Sequence, residues 1–129
     1  MRGHGLELEV RGEPRNRYPD FTVIREEHIL QLTKRNIIRL SMAPPDLVVE
    51  VVSPDELQRD RDYIAKRRQY EDQGIPEYWL IDPELQLVIV LQLEADPYTE
   101  VGTFRGNDRV SSPVFPELQL TARTLFTGR

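Results

Sequence analysis

Two acidic residues and one lysine occupy positions from which they could act together. Asp20 follows Pro19 at the start of an apolar segment, Glu50 interrupts the apolar run 47–52, and Lys66 lies in the helix-forming stretch that follows. A carboxylate inside an apolar strand is costly, so Glu50 must be neutralised, paired with a cation or bound to a metal ion. From the residues alone, these three side chains could form either a catalytic site or a purely structural ion-pair network.

The helix that carries Lys66 is predicted to turn this side chain towards the strand of Glu50. At about 100° per residue, Lys66 shares an arc of about 60° with Tyr63 and Tyr70. Arg67 and Arg68 diverge progressively from that arc. We therefore expect Lys66 and the two tyrosines to face the sheet, and both arginines to remain in solvent.

Extended segments make up most of the chain around these residues. The expected strands are 6–10, 21–24, 38–42, 47–52, 77–81, 87–91 and 98–104. The continuous run 47–52 is rich in β-branched residues, which is typical of a central strand covered on both faces. The turn Asp82-Pro83-Glu84 has proline at a favoured position, so the strands on either side of it should form a hairpin.

One long helix is predicted from Gln58 to Gln73, and a short one near 122–126. The long stretch contains mostly good helix formers, follows a capping-box pattern at 53–56, and ends at Gly74-Ile75-Pro76. These elements predict an α/β fold. The Glu50 strand is central in a mixed sheet, the long helix packs over it, and the late strands form an antiparallel extension.

Composition indicates one folded domain of 129 residues that is not embedded in a membrane. Hydrophobic residues are 39%, charged residues are 30% and cysteine is absent, so disulfides and thiolate metal sites are excluded. The beginning of the sequence lacks the apolar core of an export signal, and we expect a cytoplasmic protein. The net charge of the chain is −5. The segment 69–104 contains eight acids and no lysine or arginine, so this segment has a charge of −8 and the rest of the chain has a charge of +3. One face of the molecule could therefore still be basic.

Four stretches of the chain together resemble a known family. They are Tyr18-Pro19-Asp20, residues 46–54, residues 61–70 with Lys66, and residues 74–83. The pattern is similar to that of the bacterial Uma-type endonucleases, which belong to the PD-(D/E)XK, or restriction-endonuclease-like, superfamily. The resemblance covers residues 17–126, and it implies a single restriction-endonuclease-like domain over 1–129.

The resemblance also implies a role for each of the three charged residues. Asp20 and Glu50 would hold a divalent metal ion, with the backbone carbonyl of Val51 as a third ligand, and oxygen ligands of this kind suit Mg²⁺ or Mn²⁺. Lys66 would orient the attacking water and stabilise the charge that grows on the phosphate. The implied reaction is hydrolysis of phosphodiester bonds in DNA.

Two features depart from the pattern of the superfamily. A lysine commonly stands two residues after the second acid, where this chain has Val52, and Lys66 matches relatives that supply it from the following helix instead. Only 19 residues precede Asp20, so the N-terminal helical layer is expected to be reduced or absent. Glu7 and Glu9 are the acids in the first strand that could replace an acid from that layer.

These departures leave more than one function open. The leading expectation is a Mg²⁺-dependent DNA endonuclease, and the alternative is a binding or assembly module that retains the nuclease fold with an incomplete metal site. Because only one long helix is available to cover the sheet, a twofold dimer is expected to cover the other face, with strand 6–10 pairing if it lies at the sheet edge. His4 and His28 have no second histidine at ligand spacing, and we expect no site at either.

Overall fold

The computed structural model describes residues 6–12, 15–17, 19–25, 37–39, 41–52, 61–95 and 97–128. The predicted capping box at 53–56, the start of the helix at Gln58, the side chain of Tyr63 and both histidines lie outside this part. Within it, the strands are β1 (Glu7–Glu9), β2 (Asn16–Arg17), β3 (Phe21–Val23), β4 (Ile37–Ile38), β5 (Leu47–Val51), β6 (Glu77–Asp82), β7 (Leu87–Gln92) and β8 (Thr99–Arg105). The helices are α1 (Arg61–Gln73) and α2 (Ala122–Thr127).

The main sheet has five strands in the order β3-β5-β6-β7-β8. Strand β5 pairs antiparallel with β3 and parallel with β6, so the Glu50 strand lies inside the sheet, although it is second of the five strands rather than central as predicted. The predicted hairpin of β6 and β7 is also confirmed. At its turn, one oxygen of Asp82 accepts hydrogen bonds from the backbone N–H groups of Glu84 and Leu85, each at 3.0 Å.

A second, smaller mixed sheet has the order β2-β1-β4. The first strand therefore lies in the middle of a sheet, and the expectation that it could offer a free edge to a partner is wrong. The chain turns back at Gly12, whose φ of 95° suits glycine, so that Arg17 pairs opposite Leu8. The third predicted segment, 38–42, is shorter than expected, because a turn closes from Met42 N–H to the carbonyl of Arg39.

Apolar residues cover both faces of the main sheet. On the face of Glu50, the small sheet and α1 contribute to one buried cluster: Leu6, Leu8, Val10, Ile38, Val48, Val52, Tyr70, Ile75, Tyr78, Leu80, Leu91 and Tyr98. On the opposite face, residues 110–126 pack over Leu47, Val49 and Trp79. The expected need for a second copy to cover this face was therefore wrong, because an irregular, proline-containing segment provides the cover.

The long helix ends where its sequence predicts. Gly74 adopts a left-handed φ of 82°, and its N–H donates to the carbonyl of Glu71. Arg68 is exposed as expected, whereas Arg67 is half-buried and donates to the carbonyl of Tyr98 at 2.9 Å. The segment that leads into β8 lies close enough to engage this arginine, which helical angles alone could not show. In the described residues, neither helix is long and apolar enough to cross a membrane.

Candidate active site

The pairing of β3 with β5 sets the two predicted carboxylates side by side. Phe21 is the partner of Val49 in this antiparallel ladder, so the register continued one residue beyond β3 brings Asp20 to the level of Glu50, close enough for its charge to act on Glu50. Residues directly opposite each other in an antiparallel pair project to the same face. Asp20 also accepts a hydrogen bond from the backbone N–H of Val51 at 2.8 Å, which holds its carboxylate against the strand.

Helix α1 supplies two contacts to the buried carboxylate of Glu50. Lys66 Nζ lies 3.5 Å from Glu50 Oε2, and the hydroxyl of Tyr70 donates to Glu50 Oε1 at 2.8 Å. The two helical residues are four positions apart and therefore share one face of the helix. The predicted direction of Lys66 and Tyr70 towards the sheet is confirmed.

Burial dominates the electrostatics of Glu50. Its side chain is 6% exposed, and the loss of hydration raises the pKa of this carboxyl above its ordinary value. The charge of Lys66 and the hydrogen bond from Tyr70 act in the opposite direction, while the neighbouring Asp20 raises the pKa further. A cation bound between the two carboxylates would offset both the repulsion between them and the energetic cost of the hydration that Glu50 has lost.

The donor atoms at this place fit a small divalent cation that keeps part of its water shell. Mg²⁺ is commonly bound through one or two carboxylates, with waters and substrate phosphates as its other ligands. Asp20 and Glu50 supply two carboxylates on one face. Among the described residues no group of three or more acidic or histidine side chains could hold a metal, so neither Glu7 nor Glu9 completes the pair. The side chain of Glu9 instead lies 3.5 Å from Arg39.

Tyr70 is a residue of this site for which the sequence predicted a direction towards the sheet but no contact with Glu50. It is fully buried, and its ring meets that of Tyr78 edge to face, with centroids 5.2 Å apart. Burial raises its pKa well above the ordinary value, so it remains a hydrogen-bond donor. Its spacing of four residues from Lys66 was the signal available in the sequence.

A polar clamp holds α1 against the small sheet. The buried Arg17 donates from Nε to Gln69 Oε1 at 2.6 Å, and Gln69 Nε2 donates to the carbonyl of Arg11 at 2.9 Å. Gln69 precedes Tyr70 on the helix and lies one turn after Lys66. The small sheet therefore fixes the helix that brings both side chains to Glu50.

Comparisons with known proteins agree with this geometry. A family model described as "Putative restriction endonuclease", Uma2, matches residues 3–123. The chain belongs to the Uma2 family. The predicted resemblance to Uma-type proteins is thus confirmed over nearly the whole chain.

A solved structure shares the fold of this Uma2-family chain. It is described as "a putative nuclease belonging to DUF820" from Anabaena variabilis ATCC 29413, with 25% sequence identity and a TM-score of 0.68. The match covers 96% of this chain and 66% of that protein. The predicted nuclease-like α/β fold is confirmed. No curated protein matches the chain.

Proposed function

We propose that this chain is a metal-dependent nuclease that hydrolyses phosphodiester bonds in DNA. The observation that carries the proposal is the arrangement around Glu50. A buried carboxylate with a second carboxylate beside it and a lysine 3.5 Å away combines metal ligands with a cation suited to a phosphate. The Uma2 family is described as "Putative restriction endonuclease" and the similar Anabaena protein as "a putative nuclease", which supports the same activity.

Each residue has a separate task in the proposed reaction. Asp20, Glu50 and the backbone carbonyl of Val51 would hold Mg²⁺ or Mn²⁺, which as a Lewis acid polarises the phosphate when bound. Lys66 orients the attacking water and places positive charge where negative charge develops on the phosphate oxygens. Tyr70 holds Oε1 of Glu50, so Oε2 remains directed towards Lys66.

A plasmid assay tests the activity directly. Wild-type protein should nick or cut plasmid DNA with Mg²⁺ or Mn²⁺, whereas Glu50→Gln and Lys66→Ala should abolish cutting and leave the circular dichroism spectrum unchanged. Arg123→Ala is a matched control, because it removes an exposed positive charge on α2, across the sheet from Glu50. Loss of the lysine should lower the rate more than the metal affinity, since its role is in the transition state.

A binding or assembly module with this fold is the second candidate. The observation in its favour is that the described residues supply only the two carboxylates Asp20 and Glu50 to the site. This candidate would be favoured over the nuclease if the wild-type protein bound DNA or RNA but cut none of a broad set of substrates. Thermal melts separate the nuclease from a simple ion-pair network, because only a metal site is stabilised by millimolar Mn²⁺.

A twofold dimer and a cytoplasmic location remain predictions. Coverage of the sheet no longer requires a dimer, but two sites in one assembly would suit cleavage of both strands of a duplex. Sedimentation equilibrium at micromolar protein tests this point. A monomer of 15.1 kDa would contradict the dimer.

A further inference from the structure

A groove runs beside the candidate active site, between the turn after β1 and helix α1. Its cavity volume is about 350 Å³, which is at the lower end of the range of small-ligand sites. We call it the arginine groove, and its lining residues are Arg11, Gly12, Ala65, Arg68, Gln69 and Asp72. Ala65 adjoins Lys66 in the chain, and Gln69 lies one helical turn, about 5 Å, beyond it. At about 100° per residue, the groove residues of α1 point on average about 110° around the helix from Lys66, so the groove opens on the adjoining face of the helix.

The arginine groove has an excess of positive charge. Arg68 is exposed and makes no hydrogen bond or ion pair with the residues that the structure describes. Arg11 lies 3.2 Å from Asp72, but its side chain is 69% exposed. Because exposed ion pairs contribute little to stability, this pair can open readily to an incoming anion. Two guanidinium groups thus face one carboxylate.

The wall of the groove is fixed, although its arginines are exposed. The buried Gln69 bonds to the carbonyl of Arg11 on one side and to Arg17 on the other. Gly12 has a φ of 95°, and a Cβ at this position would lie 3.3 Å from Gln69 Nε2. The turn is therefore packed tightly against the helix, and the two arginines extend from a rigid frame.

We propose that the arginine groove binds a backbone phosphate of the DNA strand, a few nucleotides from the phosphate that is cut at Lys66. This inference rests on the proposed function. Guanidinium groups bind phosphate oxygens through paired hydrogen bonds, which lysine cannot match. A strand that follows the surface of α1 from Lys66 to the groove presents a phosphate about every 3.4 Å along the duplex axis, so the phosphate bound there lies a few nucleotides from the one that is cut. Asp72 limits the affinity of the groove by pairing with Arg11.

Salt-dependent binding tests the groove without requiring cleavage. A fluorescent DNA duplex is titrated with protein in EDTA at several salt concentrations between about 50 and 200 mM. Arg68→Ala should weaken binding about tenfold at the lowest salt and reduce the slope of log K against log salt by about 0.9, the value for one lost phosphate contact. Arg123→Ala removes the same charge elsewhere and should leave the slope unchanged.

Asp72→Asn supplies a test of opposite sign. It frees Arg11 and removes the negative charge, so DNA affinity should rise several-fold. Three results would overturn the proposed phosphate site: no measurable DNA binding, equal effects of Arg68→Ala and Arg123→Ala, or weaker DNA binding by Asp72→Asn. The nuclease proposal can fail independently of the proposed phosphate site. Wild-type protein that shows these binding effects but does not cut with Mg²⁺ or Mn²⁺ would support the groove and contradict the nuclease.

Discussion

The hydroxyl of Tyr70 decides how the carboxylate of Glu50 is presented. It donates to Oε1 at 2.8 Å, and the edge-to-face contact with Tyr78 limits movement of its ring. Glu50 therefore offers Oε2 to its other neighbours. A residue that orients a metal ligand in this way acts through the ligand, and its loss should weaken metal binding before it affects the fold.

We expect Tyr70→Phe to lower the affinity for Mn²⁺ by about tenfold, because Glu50 loses the donor that orients it. Calorimetric titration measures this. Tyr98→Phe is the control: Tyr98 is also buried, and its hydroxyl donates to the carbonyl of Ile75 at 2.7 Å, away from the site. Equal losses of Mn²⁺ affinity in the two variants would show that Tyr70 has no specific role.

The sequence identified the three charged residues for a physical reason. Glu50 is conspicuous because a charge inside an apolar strand requires a partner, and Lys66 follows from helical periodicity. The position of Asp20 opposite Glu50 depends on strand register, which the family resemblance implied and the residues alone did not. The contact of Tyr70 with Glu50 was not predicted, because the sequence gives no sign of which atom a buried hydroxyl will contact.

At the scale of elements, the turn at Gly12 and helix α1 depend on each other. The backbone of this turn is left-handed at Gly12, and the side chain of Gln69 lies directly over it. A larger residue at position 12 would be strained by its φ and would also press on the clamp that fixes α1.

Gly12→Ala should therefore cost more stability than Gly74→Ala. Both glycines have a positive φ, but a Cβ at Gly74 would meet no atom within 4 Å, whereas at Gly12 it meets Gln69 Nε2 at 3.3 Å. We expect a loss of about 1 kcal/mol for Gly74→Ala, from backbone strain alone, and about 2 kcal/mol for Gly12→Ala. Urea unfolding of both variants measures the difference, and equal losses would contradict the clamp.

The segment that follows β8 is joined to the main sheet through Glu77. This fully buried carboxylate accepts hydrogen bonds from Trp79 Nε1 at 2.6 Å, from Ser112 Oγ at 2.5 Å and from the N–H of Val114 at 2.9 Å. All three partners donate, so only an acceptor satisfies them. The bonds link the start of β6 to a loop 35 or more positions later.

Glu77→Gln should destabilise the fold by about 2–3 kcal/mol, because its amide N–H would face a donor and leave buried groups unpaired. Glu84→Gln, at an exposed position in the hairpin turn, should change stability by less than about 0.5 kcal/mol. Denaturant melts compare the two. A loss at position 77 no larger than at position 84 would show that the three bonds contribute little.

Elements with strong local signals were predictable, and those without them were not. Proline in the turn predicted the hairpin, and Gly74 predicted the end of α1. The small sheet was predicted incompletely: β2 has only two residues and was not expected, and the expected strand 38–42 overlaps β4 only at Ile38. The cover formed by residues 110–126 was missed for a similar reason, since its apolar side chains follow an irregular path.

For the whole molecule, the two apolar clusters explain how a small chain encloses a sheet with a charged site. Glu50 lies on the face covered by α1 and the small sheet, while the opposite face is covered by residues 110–126. The covering helix thus contributes both core packing at Tyr70 and the charge of Lys66. Any change that loosens this layer should therefore affect stability and the site together.

The fall of stability at alkaline pH should depend on the burial of Tyr98 in this layer. Burial raises the pKa of Tyr98 above its ordinary value, and the nearby Glu71 adds to this effect. In the unfolded chain the tyrosine ionises near pH 10, whereas in the folded protein it keeps its proton. Above about pH 10 the unfolded state therefore binds fewer protons than the folded state, so stability falls as pH rises.

Tyr98→Phe removes this contribution. The free energy of unfolding, measured by urea melts from about pH 8 to pH 11, should fall less steeply in the variant above about pH 10, by about 1.4 kcal/mol per pH unit. Below about pH 9 the two curves should run parallel, with the variant lower by about 1 kcal/mol for the lost hydrogen bond to Ile75. Curves that stay parallel through pH 11 would mean that Tyr98 ionises as easily in the folded protein as in the unfolded chain. That result would contradict the close packing of α1, β8 and Tyr98 on which the enclosed site depends.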